Sequence, residues 1–237
     1  MDAINDAVAV QINAGGTRIK GALTVSEVAA GLVVFADGSG NAALGALTRG
    51  VAQLLQREGY ATLVLDLLTR EEDAIDLRTG EYRFDISRLG RRVVAALDWA
   101  ATDPPLVGLP IACFGVGTGA AAALSAAADR PELVSAVIAR GGRADFAGVA
   151  LTSVQAPTLL IVDGDDQTSI ELNQAAIRRM RAPVRLEIVP RTHNRFDDPD
   201  APALVSQLVL GWCWQHLARL RTRMPGGRAA WHSTRWP

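Results

Sequence analysis

The stretch Ile111-Ala112-Cys113-Phe114-Gly115-Val116-Gly117-Thr118-Gly119-Ala120-Ala121-Ala122-Ala123-Leu124 decides how this chain is read. An apolar run from Pro110 ends at Gly115. An alanine-rich run, the composition of a helix, starts at Thr118. The join between them is a single turn crowded with glycine. In its G-x-S-x-G form such a strand-to-helix elbow holds a serine on a strained turn with the hydroxyl exposed. Both outer glycines are present, as Gly115 and Gly119. The serine is not. Its place is taken by Gly117, which has no side chain with which to attack anything.

Moving outward, the same alternation recurs. Leu32-Val33-Val34-Phe35-Ala36 is a continuous apolar run, as expected of a strand covered on both faces. Leu44 to Glu58 has helical spacing through Leu47, Val51, Leu54 and Leu55, with Gly59 as a stop. Ala61 to Leu65 predicts a buried strand. Leu67 to Arg83 is long, charged and without a clear period. Ser87 to Ala101 predicts a helix with Leu89, Val93, Val94 and Leu97 inward. Beyond the elbow, Leu133 to Ala139, Pro157 to Val162 and Val184 to Val189 predict strands. Ser169 to Met180 and Ala203 to Leu220 predict helices. At the front, Ala7 to Ile12 and Thr17 to Val25 flank Asn13-Ala14-Gly15-Gly16 and read as an antiparallel hairpin.

Strands alternating with helices imply an α/β domain with a mostly parallel sheet of about eight strands and helices on both faces. Residues 1–220 are expected to form this one domain. Residues 221–237 hold four arginines and no periodicity, and are expected to be a mobile basic tail.

Composition narrows the function classes. The formal net charge is −1, with 24 basic and 25 acidic residues, which argues against a nucleic-acid partner. No apolar run approaches the roughly 20 residues of a membrane span. The acidic start does not resemble a signal peptide. The two cysteines, Cys113 and Cys213, fall in a predicted strand and a predicted helix and read as buried thiols. A cytoplasmic protein is expected.

Two acidic and basic positions complete a pattern with the elbow. Asp163-Gly164-Asp165-Asp166 follows the strand Leu159 to Val162, and His193 follows the strand ending Ile188-Val189-Pro190. Nucleophile, acid, histidine is the chain order of one triad-bearing fold. Each partner sits at the carboxyl end of a strand, where sites in open α/β sheets are found.

With these residues the chain resembles the dienelactone-hydrolase-like branch of the α/β-hydrolases, from about Val8 to Leu220. Supporting stretches are Val33 to Gly40, Leu67 to Glu72, Arg83-Phe84-Asp85-Ile86, the elbow, Ala156 to Val162 and Ile188 to His193. The resemblance implies an α/β-hydrolase fold acting on small esters or lactones; with no H-E-x-x-H and no paired-cysteine motif in the sequence, no metal and no cofactor are expected. It implies that Asp166 orients His193 and that His193 is the general base. It implies that the N–H groups of Thr118 and Ser39 form the oxyanion hole. Two positions depart from the family. One is Gly117, in place of serine or cysteine. The other is Asp37, where the family commonly has histidine before Gly-Ser-Gly. A carboxylate there opposes a site that works by preorganised positive dipoles.

Several residues have plainer roles. Asp163 and Asp165 could cap the helix near Ser169. His216 sits beside Trp212 and Trp214 and reads as packing. Cys113 reads as core, and His232 lies in the tail. Thr118 leaves the turn one position late and is a poor substitute nucleophile. Gly115-Val116-Gly117-Thr118-Gly119 does not complete a dinucleotide fingerprint, because Ala120 stands where the pattern needs glycine.

Three functions stay open at this point: an ester or lactone hydrolase that has lost its nucleophile, a pseudo-hydrolase that binds a small ligand or a protein, and an enzyme that uses His193 and Asp166 without a side-chain nucleophile. A homodimer is also left open.

Overall fold

A computed structural model describes residues 7–26, 28–37, 45–189 and 200–217. Eight strands form one sheet: β1 (Val8–Ala14), β2 (Thr17–Thr24), β3 (Leu32–Asp37), β4 (Ala61–Asp66), β5 (Ile111–Val116), β6 (Val134–Arg140), β7 (Thr158–Asp163) and β8 (Val184–Val189). Their order in space is β1-β2-β4-β3-β5-β6-β7-β8. The pairs β1–β2 and β2–β4 are antiparallel, and the rest are parallel. The predicted opening hairpin and the mostly parallel sheet are both present.

The helices are α1 (Ala46–Arg57), α2 (Arg70–Thr79), α3 (Ile86–Ala100), α4 (Thr118–Asp129), α5 (Gln167–Ile177) and α6 (Asp200–Leu217). They divide the core into two layers. One face of the sheet buries Val34, Leu63, Leu65, Cys113 and Val137 with α3 and α4. The other buries Val33, Phe35, Phe114 and Ile138 with α1 and α6. Strict alternation along buried strands sends successive side chains to opposite layers. The rings of Phe35 and Phe114 meet with centroids 5.1 Å apart. None of the described helices is long and apolar enough to cross a membrane.

Small side chains set the closest approaches. A Cβ on Gly90 of α3 would lie 3.3 Å from Ser125 Cβ of α4. The alanines of α4 from Ala120 to Ala123 are wholly buried. This helix is short of polar residues because it is covered on nearly every side, beneath the sheet and beside α3.

Two parts of the chain differ from the sequence expectation. The stretch Leu67 to Arg83, which shows no clear period, contains α2. Its mostly polar composition hides it, since the helix rests on polar contacts. Thr69 accepts from the Glu72 N–H while the Glu72 carboxylate accepts from the Thr69 N–H, a complete capping box. Glu72 also takes two bonds from Arg92, at 2.6 and 2.7 Å. Buried Asp76 accepts from the N–H groups of Tyr82 and Arg83 and from the Arg83 side chain. Burial works to raise the Asp76 pKa, but these bonds and the Arg83 charge outweigh it and hold the group low. The second difference is the link after β6, which carries a 3-10 segment, Ala144–Thr152, broken at Gly148.

Candidate active site

The elbow is built by two glycines that no other residue could replace cheaply. A Cβ on Gly115 would fall 2.4 Å from the Gly119 carbonyl oxygen and 2.5 Å from Ala120 Cα. Helix α4 therefore starts directly against the end of β5. Gly142, after β6, closes the turn from the side: its Cβ would lie 2.4 Å from Ala120 Cβ and 2.7 Å from the Gly117 oxygen. Gly117 donates its N–H to the Arg140 carbonyl at 3.3 Å.

Gly117 itself is different. Its φ of 58° and ψ of −125° lie in a region that side chains seldom occupy. Yet no described heavy atom lies within 4 Å of the position its Cβ would take. The backbone keeps the strained turn, and among the described residues the space for a side chain is open. Thr118 is the first residue of α4. The opening N–H groups of a helix have no partner four residues back.

The sequence-derived residues fall as follows. Asp37 ends β3, half-buried, in register with Asp66 and Val116. Asp166 lies just past β7, exposed, as the N-cap of α5. Its two oxygens accept from the Ser169 hydroxyl at 2.5 Å and the Ser169 N–H at 2.9 Å, and those bonds hold its pKa low. Here the sequence expectation needs correcting. The helix begins at Gln167, and its cap is Asp166 rather than Asp163 or Asp165. The cap position favours whichever acid directly precedes the first turn, and loop composition alone does not say which that is. Asp163 ends β7, half-buried. Ser39 and His193 lie outside the described residues, as do the tail residues 221–237.

The thiols and the remaining histidine are packing groups. Cys113 and Cys213 are buried, which pushes both pKa values up to about 12. His216 lies against Trp212 with ring centroids 4.3 Å apart and the rings tilted, and burial lowers its pKa.

Two charged residues of this region were not singled out from sequence. Asp66 ends β4. Burial raises its pKa, Lys20 acts against that and Asp73 reinforces it. Arg140 ends β6, one residue past the expected strand end, and burial lowers its pKa against the opposing pull of Asp163. The available signal was an ionisable residue closing an otherwise apolar strand, Val134 to Ala139.

Comparison with known proteins gives a consistent picture. The family model described as "Dienelactone hydrolase family" matches residues 19–200. A protein of Mycobacterium tuberculosis, provisionally named a phosphoribosyl transferase, is 45% identical over 208 residues, covering 88% of this chain and 46% of the relative. The chain thus spans about half the length of the curated relatives it matches. Among solved structures, a dienelactone hydrolase from Anabaena variabilis has 45% identity and a TM-score of 0.84, over 90% of this chain and 98% of that one. An esterase domain from Rhodothermus marinus superposes with a TM-score of 0.69 at 17% identity, over 90% of this chain and all (100%) of that one, a likeness of fold.

Proposed function

Because the chain belongs to the dienelactone hydrolase family, we propose that it is by descent a hydrolase of small esters or lactones whose chemistry is impaired at Gly117. One observation carries this: the elbow keeps its strained turn and its open space, but the residue there is glycine. Nothing at position 117 can form an acyl intermediate. By this reading the chain retains the rest of the family's machinery, with Asp166 and His193 as acid and base and the N–H groups of Thr118 and Ser39 as oxyanion donors. A soluble cytoplasmic role with a small-molecule ligand fits the near-neutral charge.

A pseudo-hydrolase is the form of this proposal favoured by Asp37, since that carboxylate ends β3, at the sequence position where the family commonly has histidine, and opposes a site that works by positive dipoles. An enzyme working through His193 and Asp166 alone is less well supported, because both Asp166 oxygens are engaged by Ser169. The transferase name of the mycobacterial relative is not carried over. It belongs to a protein of which this chain matches 46%, and the matched part is hydrolase-like. The test is the initial rate on 4-nitrophenyl acetate. The parent should stay near the rate of a control protein. Parent turnover at the level of an ordinary esterase, abolished by His193→Ala, would overturn the proposal.

A further inference from the structure

The two edges of the sheet are finished differently. Strand β8 follows Pro183 and carries Arg185 and Glu187, which pair with each other. Charge and proline on an edge strand discourage pairing with another chain. Strand β1 has neither. Its sequence, Val-Ala-Val-Gln-Ile-Asn-Ala, holds no charge, no proline and no glycine. Every residue from Val8 to Ala14 is in unbroken register with β2, so no bulge twists the edge away. Among the described residues β1 pairs with β2 alone. Its outer side therefore offers a row of backbone donors and acceptors about 23 Å long.

A second copy of the same strand fits this edge. Antiparallel pairing about a two-fold axis at Gln11 sets Val10 against Ile12 and Val8 against Ala14. Ile12 is buried in the α3 and α4 layer, and Val10 and Ala14 pack against it. The pairing carries that apolar row across the axis without a break. Ala9, Gln11 and Asn13 stand on the opposite face, all exposed, and Gln11 meets its own copy. Any other register of the strand on itself leaves some of its residues unpaired.

The groove beside this edge has the matching polarity. About 940 Å³ lies between the hairpin turn and the flank of α3. Helix α3 runs back from the carboxyl end of β4 to the start of β5, so Arg88, Arg91 and Arg92 stand toward the hairpin turn and Asp98 toward the Val8 end. Helix α4 ends beside Asp98, where Arg130 holds the Asp98 carboxylate. Among the lining residues, three arginines stand with one glutamate, Glu72, at the first end. Asp98 and Asp129 stand with one arginine, Arg130, at the second. A two-fold axis reverses the direction of β1 and lays the basic end of one copy beside the acidic end of the other. An interface of this symmetry has to be complementary to itself. The β1 edge is so in its backbone, its apolar row and its charge.

We propose that the chain forms a two-fold dimer through β1, with the two sheets joined edge to edge into one. The dimer does not depend on the chemistry at the elbow, and no measurement of turnover enters its test.

Sedimentation velocity of the full chain at about 10 μM should show a dimer, twice the 25.1 kDa of one chain. Gln11→Lys changes an exposed side chain and sets two ammonium groups opposite each other at the axis. It should raise the dissociation constant by about tenfold or more, with the circular dichroism spectrum of the parent. Gln11→Cys should be cross-linked into a dimer by a short bis-maleimide. Val8→Cys should not, because its two copies would lie about 20 Å apart along the strands. Cys113 and Cys213 are buried and do not compete for the reagent. A monomer at that concentration overturns the proposal, since the β1 edge is then covered within the chain or left bare. A dimer that persists unchanged in folded Gln11→Lys, or cross-linking equal at positions 8 and 11, places the contact elsewhere and also overturns it.

Discussion

Gly142 sits so close to Gly117 that a Cβ on it would lie 2.7 Å from the Gly117 carbonyl oxygen. The elbow is thus held from the β6 side as well as by its own strand and helix. Gly142→Ala should push Ala120 and the turn apart and cost about 1–3 kcal/mol, the usual range for overpacking. Gly141→Ala, at a position with φ of 54° and open space around it, should cost only the backbone strain of about 1–2 kcal/mol and leave the elbow in place. Thermal melts of both variants, with circular dichroism, check this. A Gly142→Ala melt matching the parent would mean the turn yields freely.

Gly117→Ser places a hydroxyl in space that no described residue fills, at the cost of a side chain in a strained region, about 1–3 kcal/mol. Activity on 4-nitrophenyl acetate should rise by orders of magnitude if the other members of the site are intact, because such groups act as a unit. If Asp37 has also disabled the oxyanion loop, the single variant should gain little and Gly117→Ser with Asp37→His much more. Rates for the parent, both single variants and the double variant separate a recently disabled hydrolase from an older binding protein. A folded double variant with no gain would sink the view that only these two positions block hydrolysis.

Glu72 joins two elements: it closes the cap of α2 and holds Arg88 and Arg92 of α3. Arg92 is 4% exposed and would keep only the Leu67 carbonyl once Glu72 is gone. Glu72→Ala should therefore destabilise the domain by about 3–5 kcal/mol, the cost of a buried charge left unpaired. The melting temperature should fall by roughly 6 °C or more. A shift of a degree or two would show that water reaches Arg92 and replaces the carboxylate.

Asp66 has a raised pKa, caused first by burial and then by Asp73, with Lys20 opposing. A carboxyl group raised on folding contributes its full stability below the unfolded value of about 3.9 and loses it as pH rises through the folded value. At neutral pH the ionised group is a net cost. Asp66→Asn should melt above the parent at pH 7 to 8 (~), and the gap should close as pH falls below about 4. A gap of equal size at both ends of that range would mean the effect is packing rather than ionisation.

The sequence by itself determined the architecture and the place of the elbow. Hydrophobic period gave the eight strands within a residue or two, because buried parallel strands need unbroken apolar runs. The Gly115, Gly117 and Gly119 pattern located the turn, because the close approach of α4 to β5 leaves no room for a Cβ at Gly115 and the turn takes a positive φ at Gly117. Polar-built parts were less legible. Helix α2 depends on Glu72 and Asp76 meeting Arg92 and Arg83. Arg92 lies 20 residues from Glu72, and no local period records such a contact. The cap of α5 was assigned to the wrong aspartates for the same kind of reason: three acids within four residues look alike until the first helical turn is placed. Only the tertiary structure decided that Lys20, Asp66, Asp37 and Arg140 stand in one row. Strand order, β2-β4-β3-β5-β6, is set by how the crossover helices pack on the two faces, and it makes neighbours of residues that the chain keeps far apart.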